Sequence, residues 1–414
     1  MITQDAFTLG HGIVRTILIK MQGIGLWRMR FVEEILLLFI SLKGRINFLQ
    51  LSRYGYMTER SYRNQFSKMF DFIDFNKQLI KQTTSGNCII GFDPTFICKS
   101  GKRTPGLGYF YSGCAGNYQK GLEVGCVSVI DVKQNTAYHL EAIQSPALTK
   151  KERKLEGKSL IDHYASILIS RAVTILSISK ILVVDAYFTK FKFIEAITMH
   201  MNMEVISRLR KDANLRYLYS GKPRSGKGRP KKYDGKIDVK NIDKRRIKKI
   251  FENQEVNIYS AVVYSVGLKR DILLCYTEFK KSNGSILTSS LYFSTNLEQD
   301  PVLVLNYYRA RFQMEFMFRD AKQYTGLDTC QARSESKMHF HFNASLTAVS
   351  VAKAIIRKSY KKDQELSMSI ADIQTELHNR ALAQTIFSIY GIDPKFNENN
   401  DRLRLILDFG KIAA

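Results

Sequence analysis

The spacing of apolar residues divides the chain into helical ends and a strand-rich middle. Residues 1 to about 80 carry apolar side chains at helical intervals, most clearly through FVEEILLLFISL and INFLQLSRYGYMTERSYRNQFSKMF. In the second run, Gly55 is expected to end one helix and Thr58 to cap the next. That next helix carries three basic residues: Arg60, Arg63 and Lys68. The pattern is typical of a helix-turn-helix that reads DNA, and equally of a purely structural helix pair.

From Asn87 the pattern changes to the alternation of strands. NCIIGFDPTFI predicts a strand with Asp93 near its end, and GLEVGCVSVID with NTAYHLEAIQS predicts a hairpin around VKQN. A helix (SLIDHYASILISRAVTILS), the strand KILVVD, a second helix (FKFIEAITMH) and a strand (MEVISRLR) follow. This alternation predicts a mixed sheet with helices on its faces, and ligands of such sheets bind beyond the carboxyl ends of strands.

Between Arg208 and Ile250 the chain becomes strongly basic, with 17 Lys or Arg against 4 Asp. Its centre, SGKPRSGKGRPKKYDGK, has the glycines and prolines of an exposed loop. We expect this loop to track phosphates, and a localisation signal at GRPKK is the alternative. The loop residues expected to contact DNA are Lys227, Arg229, Lys231 and Lys232.

After this segment, residues 255 to 295 return to strand patterns and predict an all-β insert. The chain is then expected to be helical to near its end, with a loop from Gly391 to Asn400.

Composition indicates a class of partner through charge. The 414 residues predict two or three domains, and 45% apolar residues suffice to bury their cores. The chain has 63 basic and 38 acidic residues, and the resulting net charge of +25 favours a polyanionic partner. Nucleic acid is favoured over an anionic membrane, since no basic amphipathic helix or lipidation signal accompanies the charge.

The cysteines and the apolar runs point to a cytosolic protein. The six cysteines show no zinc-ligand spacing, and the start of the chain lacks a secretory pattern, so we expect reduced and mostly buried thiols. The apolar run from Ile35 to Leu42 is far shorter than the roughly 20 residues of a membrane span. We therefore expect no segment to cross a bilayer.

One run, NYYRARFQMEFMFRDAKQYTG, carries a concentrated set of chemical groups. Tyr308, Arg311, Glu315 and Lys322 fall at offsets of 3, 7 and 14, which at about 100° per residue places all four on one narrow helix face. An acid among groups that bind phosphate is typical of a nuclease. The alternative is a solvated face on which Arg311 and Glu315 form an i, i+4 ion pair.

Two aspartates support the nuclease interpretation. Asp93 and Asp185 each close an apolar strand run, where a carboxylate either caps the following turn or serves chemistry. With Glu315 they make three acids from separate segments, enough to hold two divalent metals roughly 3.5 to 4 Å apart. Hard oxygen ligands favour Mg²⁺ or Mn²⁺.

The set then resembles a known family. Asp93, Asp185 and Glu315, in the order strand, strand, helix, resemble the DDE catalytic core of bacterial insertion-sequence transposases. Tyr308, Arg311, Glu315 and Lys322 match the YREK signature of those enzymes. The acids are separated by 92 residues (185 − 93) and 130 residues (315 − 185), and the resemblance covers about residues 85 to 355.

The resemblance implies an α/β, ribonuclease H-like mixed-sheet core interrupted by an all-β insertion, with helical N-terminal and C-terminal regions. The corresponding boundaries are 1–80 for a helical DNA-binding region, 85–210 and 300–355 for the core, 211–299 for the basic loop and insertion, and 356–414 for the C-terminal helices. It implies cleavage of double-stranded DNA at terminal inverted repeats and joining of the 3′-hydroxyl to target DNA. It further implies a homodimer cutting in trans, in the bacterial cytoplasm with the nucleoid.

By position, the resemblance makes Asp93, Asp185 and Glu315 the ligands of two Mg²⁺ or Mn²⁺ ions. Phosphate contacts would come from Tyr308, Arg311, Lys322 and the basic pair Arg208 and Arg210. Related enzymes that pass through a DNA hairpin stack a flipped base on a tryptophan of the insertion, whereas the one tryptophan here is Trp27. The aromatic residues left for that role are Tyr264, Tyr276, Tyr292 and Phe293.

Two other functions stay open: a structure-specific metal-dependent nuclease of the same fold, and a DNA-binding derivative without catalysis. The remaining candidates are expected to be structural. His339 and His341 point to different helix faces, and Asp162 with His163 opens a helix as capping residues. The aromatic residues Tyr307, Phe312 and Phe316 are expected in the core.

Overall fold

A mixed sheet of twelve strands organises the middle of the chain in this computed structural model, among the residues it describes. Those residues are 5–147, 159–221, 230–359, 368–391 and 397–412, with side chains in the last stretch from 403 onward. The predicted DNA contacts Lys227 and Arg229 lie outside the described residues.

Five helices precede the sheet, as the apolar spacing predicted. They are α1 Ala6–Lys20, α2 Leu26–Ser41, α3 Phe48–Tyr54, α4 Glu59–Phe66 and α5 Phe72–Thr83. The predicted boundary is confirmed, because Gly55 ends α3 and the Thr58 hydroxyl accepts a hydrogen bond from the Ser61 amide at 3.2 Å. Lys68 lies beyond the end of α4. That the α3–α4 pair reads DNA stays a prediction.

The strands of the first half of the sheet surround a short parallel centre. They are β1 Cys88–Cys98, β2 Gly108–Ser112, β3 Asn117–Asp131, β4 Thr136–Gln144, β5 Ile181–Val184 and β6 Glu204–Arg208. β5 lies parallel between β1 and β6, while β3 pairs antiparallel with β1, β2 and β4. The hairpin of β3 and β4 around Val132 to Asn135 confirms the predicted one.

Further strands extend the same sheet beyond β6. They are β7 Leu215–Leu218, β8 Tyr233–Lys236, β9 Lys248–Glu252, β10 Val256–Ser265, β11 Arg270–Lys280 and β12 Ile286–Ser294. β12 pairs antiparallel with β6, with Tyr292 opposite Arg208, so the sheet runs on without a break through β11 and β10. The predicted strands of residues 255 to 295 are confirmed, and their division from the core as an insertion stays a proposal.

Helices cover both faces of the sheet. They are α6 Leu160–Ser170, α7 Ala172–Leu176, α8 Phe191–Met201, α9 Pro301–Ala310, α10 Gln313–Tyr324, α11 Glu335–Ser359, α12 Ile370–Tyr390 and α13 Asn397–Asp408. One buried core joins α1, α2, α10 and α11 to the sheet, and a second joins α6 and α8 to its opposite face. α11 is the central helix of the first core, since 17 of its 25 residues are buried.

Four local expectations are wrong. Asp93 lies in the middle of β1 because pairing with β3 continues to Cys98. The basic segment contains β7, β8 and β9, whose charged side chains on exposed positions conceal a strand pattern. The helix predicted from Leu160 breaks at Arg171, and α13 begins at Asn397 inside the predicted loop.

The thiols agree in part with expectation. All six cysteines are free, but only Cys126, Cys275 and Cys330 are buried, while Cys98 and Cys114 are exposed. Among the described residues, none of the helices combines the length and the apolar character that a membrane crossing requires.

Candidate active site

The parallel pairing of β1 with β5 brings the two aspartates together. Phe92 of β1 lies opposite Val184, the last residue of β5. Asp93 directly follows Phe92, and Asp185 directly follows Val184. Pro94, which has no amide hydrogen to donate, follows at the point where the β5 partner has ended. Asp93 is therefore within a strand and still at the carboxyl end of the parallel pair.

Glu315 reaches the aspartates because α10 packs very closely on β1. A Cβ atom at Gly91 would lie 2.4 Å from Met314 Sδ, so a larger residue at position 91 would force the Met314 side chain to move. Gly91 and Asp93 share one face of the strand, and Met314 precedes Glu315. This contact sets the acid of α10 beside the acid of β1.

Arg311 lies among all three acids. Its guanidinium Nη1 is 3.3 Å from Asp93 Oδ2, and its Nη2 is 2.9 Å from Glu315 Oε1 and 4.0 Å from Asp185 Oδ1. The Arg311 side chain is only 12% exposed. The ion pair with Glu315 was one of the two sequence-based interpretations; the contacts with both aspartates were not foreseen.

A break in the signature helix allows this position. α9 ends at Ala310 and α10 begins at Gln313, while Arg311 and Phe312 keep right-handed backbone angles. The predicted continuous helix is therefore wrong at these two residues. Tyr308 still reaches the site, where its hydroxyl donates to Asp185 Oδ1 at 3.1 Å and its ring lies 4.8 Å from that of Tyr292.

The electrostatics show that the carboxylates are crowded. The pKa of Asp93 is raised to about 7, chiefly by burial. Arg311 opposes this rise, and the neighbouring acids Asp185, Glu315 and Glu123 add to it. Burial lowers the pKa of Arg311, but the surrounding acids outweigh burial and the net pKa is raised. Burial also raises the pKa of Tyr308. One cation thus partly neutralises three carboxylates.

The donor set suits a hard divalent cation, but its present arrangement does not form a metal cluster. Among the residues that the structure describes, no group of three or more His, Cys, Asp or Glu is placed to hold a metal ion. The carboxylates point at the Arg311 guanidinium, and its Nε is buried without a hydrogen-bond partner. In this conformation the arginine, as the resident cation, occupies the space between the acids.

The other basic residues predicted to contact DNA have different neighbours around the three acids. Lys322 is half-buried and lies close enough to Cys126 to oppose the rise that burial causes in the pKa of that thiol. Cys126 is the residue of β3 that pairs with Asp93 of β1. Arg208 ends β6 and acts on Tyr308 electrostatically, and Arg210 acts on Lys190 in the same way.

The described residues of the basic loop, from 230 onward, lie apart from the acids. Lys231 and Lys232 precede β8, which ends the strand order on the far side from β1. Lys231 pairs with Asp234 at 2.8 Å, and Lys232 is exposed. The structure therefore does not bring these two lysines to the acids.

The aromatic candidates separate clearly. Tyr292 packs on Tyr308 beside the acids, whereas Phe293 is fully buried, Tyr264 stacks on Tyr233 and the Tyr276 hydroxyl bonds Glu278. Trp27 is exposed on α2.

The residues expected to be structural also divide. His341 is structural as predicted, since its Nε2 donates to the Gly326 carbonyl at 2.8 Å, and Asp162 caps α6 by accepting from the Ser159 amide at 2.8 Å. Tyr307 is buried as expected, but Phe312 is 49% exposed and its assignment to the core is wrong.

Two residues near the site were missed. Gly91 allows the close packing of α10, and Glu123 of β3 accepts a hydrogen bond from the Tyr164 hydroxyl at 2.5 Å and adds negative charge near Asp93. Glu123 lies in a strand whose last eleven residues are all buried. The sequence pattern of this strand therefore does not distinguish the position of Glu123 from those of its neighbours.

Part of the chain matches a known protein family. Residues 168–351 match the family model of the transposase DDE domain. The matched segment contains Asp185, Arg311 and Glu315, while Asp93 lies ahead of it. No curated protein matches the chain.

The match supports a transposase of the DDE class. The large mixed sheet with helices at both ends of the chain is consistent with a ribonuclease H-like transposase.

Proposed function

We propose that this chain is a DNA transposase of the insertion-sequence type, which cleaves double-stranded DNA at element ends and joins the freed 3′-hydroxyl to target DNA. The observation that supports it is the meeting of Asp93, Asp185 and Glu315, from two strands and a helix, around the guanidinium of Arg311. Three carboxylates around one guanidinium are more than a buried structural arginine requires.

In this proposal Asp93, Asp185 and Glu315 would hold Mg²⁺ or Mn²⁺, which would supply activation of the attacking water or 3′-hydroxyl and charge stabilisation of the leaving oxygen. Because one oxygen of each acid faces the Arg311 guanidinium at 2.9 to 4.0 Å, the arginine competes with a divalent ion for the same carboxylates. A DNA phosphate is a fitting new partner, since guanidinium binds phosphate by paired charge-assisted hydrogen bonds. Arrival of DNA would thus release the carboxylates.

The remaining residues orient the DNA. Tyr308 holds Asp185 by its hydroxyl and is itself fixed by Tyr292, so this acid keeps one direction. Lys322, on the face of α10 near β3, and Arg208, at the end of β6, supply positive charge on either side of the acids. Both are suited to phosphates next to the cut.

A homodimer forms part of the proposal, and α12 offers a surface for it. Leu382, Ile386 and Ile389 are exposed at offsets of 4 and 7, and Ile389 keeps 72% of its surface exposed. Apolar residues at alternating intervals of four and three form a seam that pairs well with an identical helix. A second copy of the chain is therefore the proposed partner at this surface of α12. The proposed location is the bacterial cytoplasm, where the nucleoid supplies DNA.

A test should separate transposition from simple hydrolysis. Duplexes made from the DNA that flanks the gene would be incubated with Mg²⁺ or Mn²⁺ and a plasmid target, and both nicked and joined products measured. The proposal expects joined products, lost in Glu315→Gln and kept in the matched surface variant Glu335→Gln. Nicking without joining would favour a structure-specific nuclease, and DNA binding with neither product would favour a non-catalytic derivative.

A further inference from the structure

A large basic groove lies between the N-terminal helices and the sheet. Its volume is about 1,380 Å³, and three segments line it: the α2–α4 region, the chain that follows β1, and the connection between α10 and α11. Five of its basic residues are Arg45, Lys102, Arg103, Arg333 and Lys337, whereas Asp328 is the one acid among the described residues that line it.

The walls of this groove are fixed by hydrogen bonds between the segments. Lys99, directly after β1, donates to the carbonyls of Cys330 and Ala332, the latter at 3.1 Å. The Ile46 amide donates to the Thr329 hydroxyl at 3.1 Å, which joins the N-terminal helices to the same connection. The groove is therefore formed before any ligand arrives.

Its positive charge is available to a ligand. None of the five residues named above forms an ion pair with another residue that the structure describes, and all but Lys337 are exposed. By contrast, Arg63 in the same groove pairs with Glu59 and covers the ring of Phe48 at 4.7 Å. Unpaired cations facing a shared cavity favour an anionic ligand.

The size and lining of the groove identify the class of that anion. A volume of about 1,380 Å³ exceeds the roughly 300–1,000 Å³ of small-molecule pockets, which are also mainly apolar. Single-stranded DNA is usually held by exposed aromatic side chains, but the aromatic residue here, Phe48, is only 6% exposed. A duplex, bound through its phosphates, fits both observations.

We propose that this groove binds the phosphate backbone of a DNA duplex next to the cleavage site. The proposal rests on the proposed function, because it takes DNA as the partner. β1 connects the two sites: Cys98 at the groove is five residues beyond Asp93, or about 17 Å at roughly 3.3 Å per residue. At about 3.4 Å per base pair, the groove contacts DNA roughly five base pairs from the cut.

Two native cysteines give a direct test in the unmodified protein. Cys98 lines the groove and is exposed, while Cys114 is exposed in the turn between β2 and β3 and does not line it. Thiol labelling by a maleimide, resolved by mass spectrometry, should be slowed at least about tenfold at Cys98 by a 30-base-pair duplex and little changed at Cys114. Equal labelling at Cys98 with and without bound duplex would overturn the proposal, as would full protection by inorganic phosphate alone.

A charge-matched pair of variants tests the energetics. The groove variant Lys102→Gln, Arg103→Gln, Arg333→Gln should lower the slope of log affinity against log salt by up to about 2.7, at about 0.9 for each phosphate that the protein no longer neutralises. The control variant Arg15→Gln, Lys20→Gln, Lys81→Gln removes the same charge from exposed residues that do not line the groove.

The two variants also separate failure of this proposal from failure of the proposed function. Equal slopes in both variants, with wild-type protein still binding and cutting DNA, would overturn the groove assignment alone. A wild-type protein that binds no duplex at all would overturn both.

Discussion

Replacing Asp93 with asparagine should make the metal-free protein more stable at high pH. The carboxyl group is partly buried beside two other acids, which raises its pKa from 3.8 to about 7 in spite of Arg311. A carboxyl whose folded pKa is raised favours folding below its unfolded pKa, and this contribution is lost as the pH rises through about 4 to 7. Asparagine carries no charge and avoids that loss.

The size of the effect follows from the shift. Three pKa units at 1.36 kcal/mol each set a ceiling of about 4 kcal/mol above pH 7. Because 21% of the Asp93 side chain remains exposed, water access reduces this, and we expect about 1 to 3 kcal/mol. Near pH 4 the stabilisation should be small, since the carboxyl is then protonated in the folded state and only about half ionised in the unfolded state.

Urea denaturation of wild type and Asp93→Asn in EDTA, at pH 4.5 and pH 8, measures the difference directly. Asp212→Asn, which alters an exposed aspartate, serves as the control and should change little at either pH. If Asp93→Asn were less stable than wild type at pH 8, or if its advantage were the same at both pH values, the crowding of charge described here would be wrong.

Three further predictions address the proposed roles. Arg311→Gln should bind Mn²⁺ more tightly than wild type without DNA, because a competing cation is gone. Arg319→Gln on α10 should not, and weaker Mn²⁺ binding in Arg311→Gln would contradict the idea. Lys322→Ala should weaken end binding by about 1 to 3 kcal/mol in a filter-binding assay with Mn²⁺ affinity unchanged, and loss of that affinity would remove its phosphate role. Ile386→Asp should shift the sedimentation of the DNA complex from dimer to monomer, whereas Val173→Asp, a control at another exposed site, should leave the complex dimeric. A dimeric Ile386→Asp complex would exclude the α12 seam as the dimer interface.

Sequence patterns were sufficient where local spacing determines structure. The N-terminal helices, the β3–β4 hairpin and β5 followed by Asp185 agree with the structure because each depends on neighbouring residues. The meeting of Asp93 and Asp185 was also accessible, since both follow apolar strand residues and parallel strands end at one edge.

Other features depend on contacts that no short segment encodes. Arg311 was expected on a helix face, but its contacts with Asp93 and Asp185 require α10 to pack on Gly91 of β1. The groove is assembled from residues as far apart as Arg45 and Arg333, neither of which lies in a basic run. The most conspicuous basic run of the sequence lies near residue 230, and its described lysines, Lys231 and Lys232, lie by β8 instead.

The central claim is that Asp93, Asp185 and Glu315 act together as one catalytic centre. Single-turnover nicking of end-containing duplex in Mn²⁺, compared across Asp93→Asn, Asp185→Asn and Glu315→Gln, tests it most directly. We predict that each variant binds the duplex with near wild-type affinity and loses cleavage to background. Wild-type nicking in any of the three would contradict the claim and remove that residue from the catalytic centre.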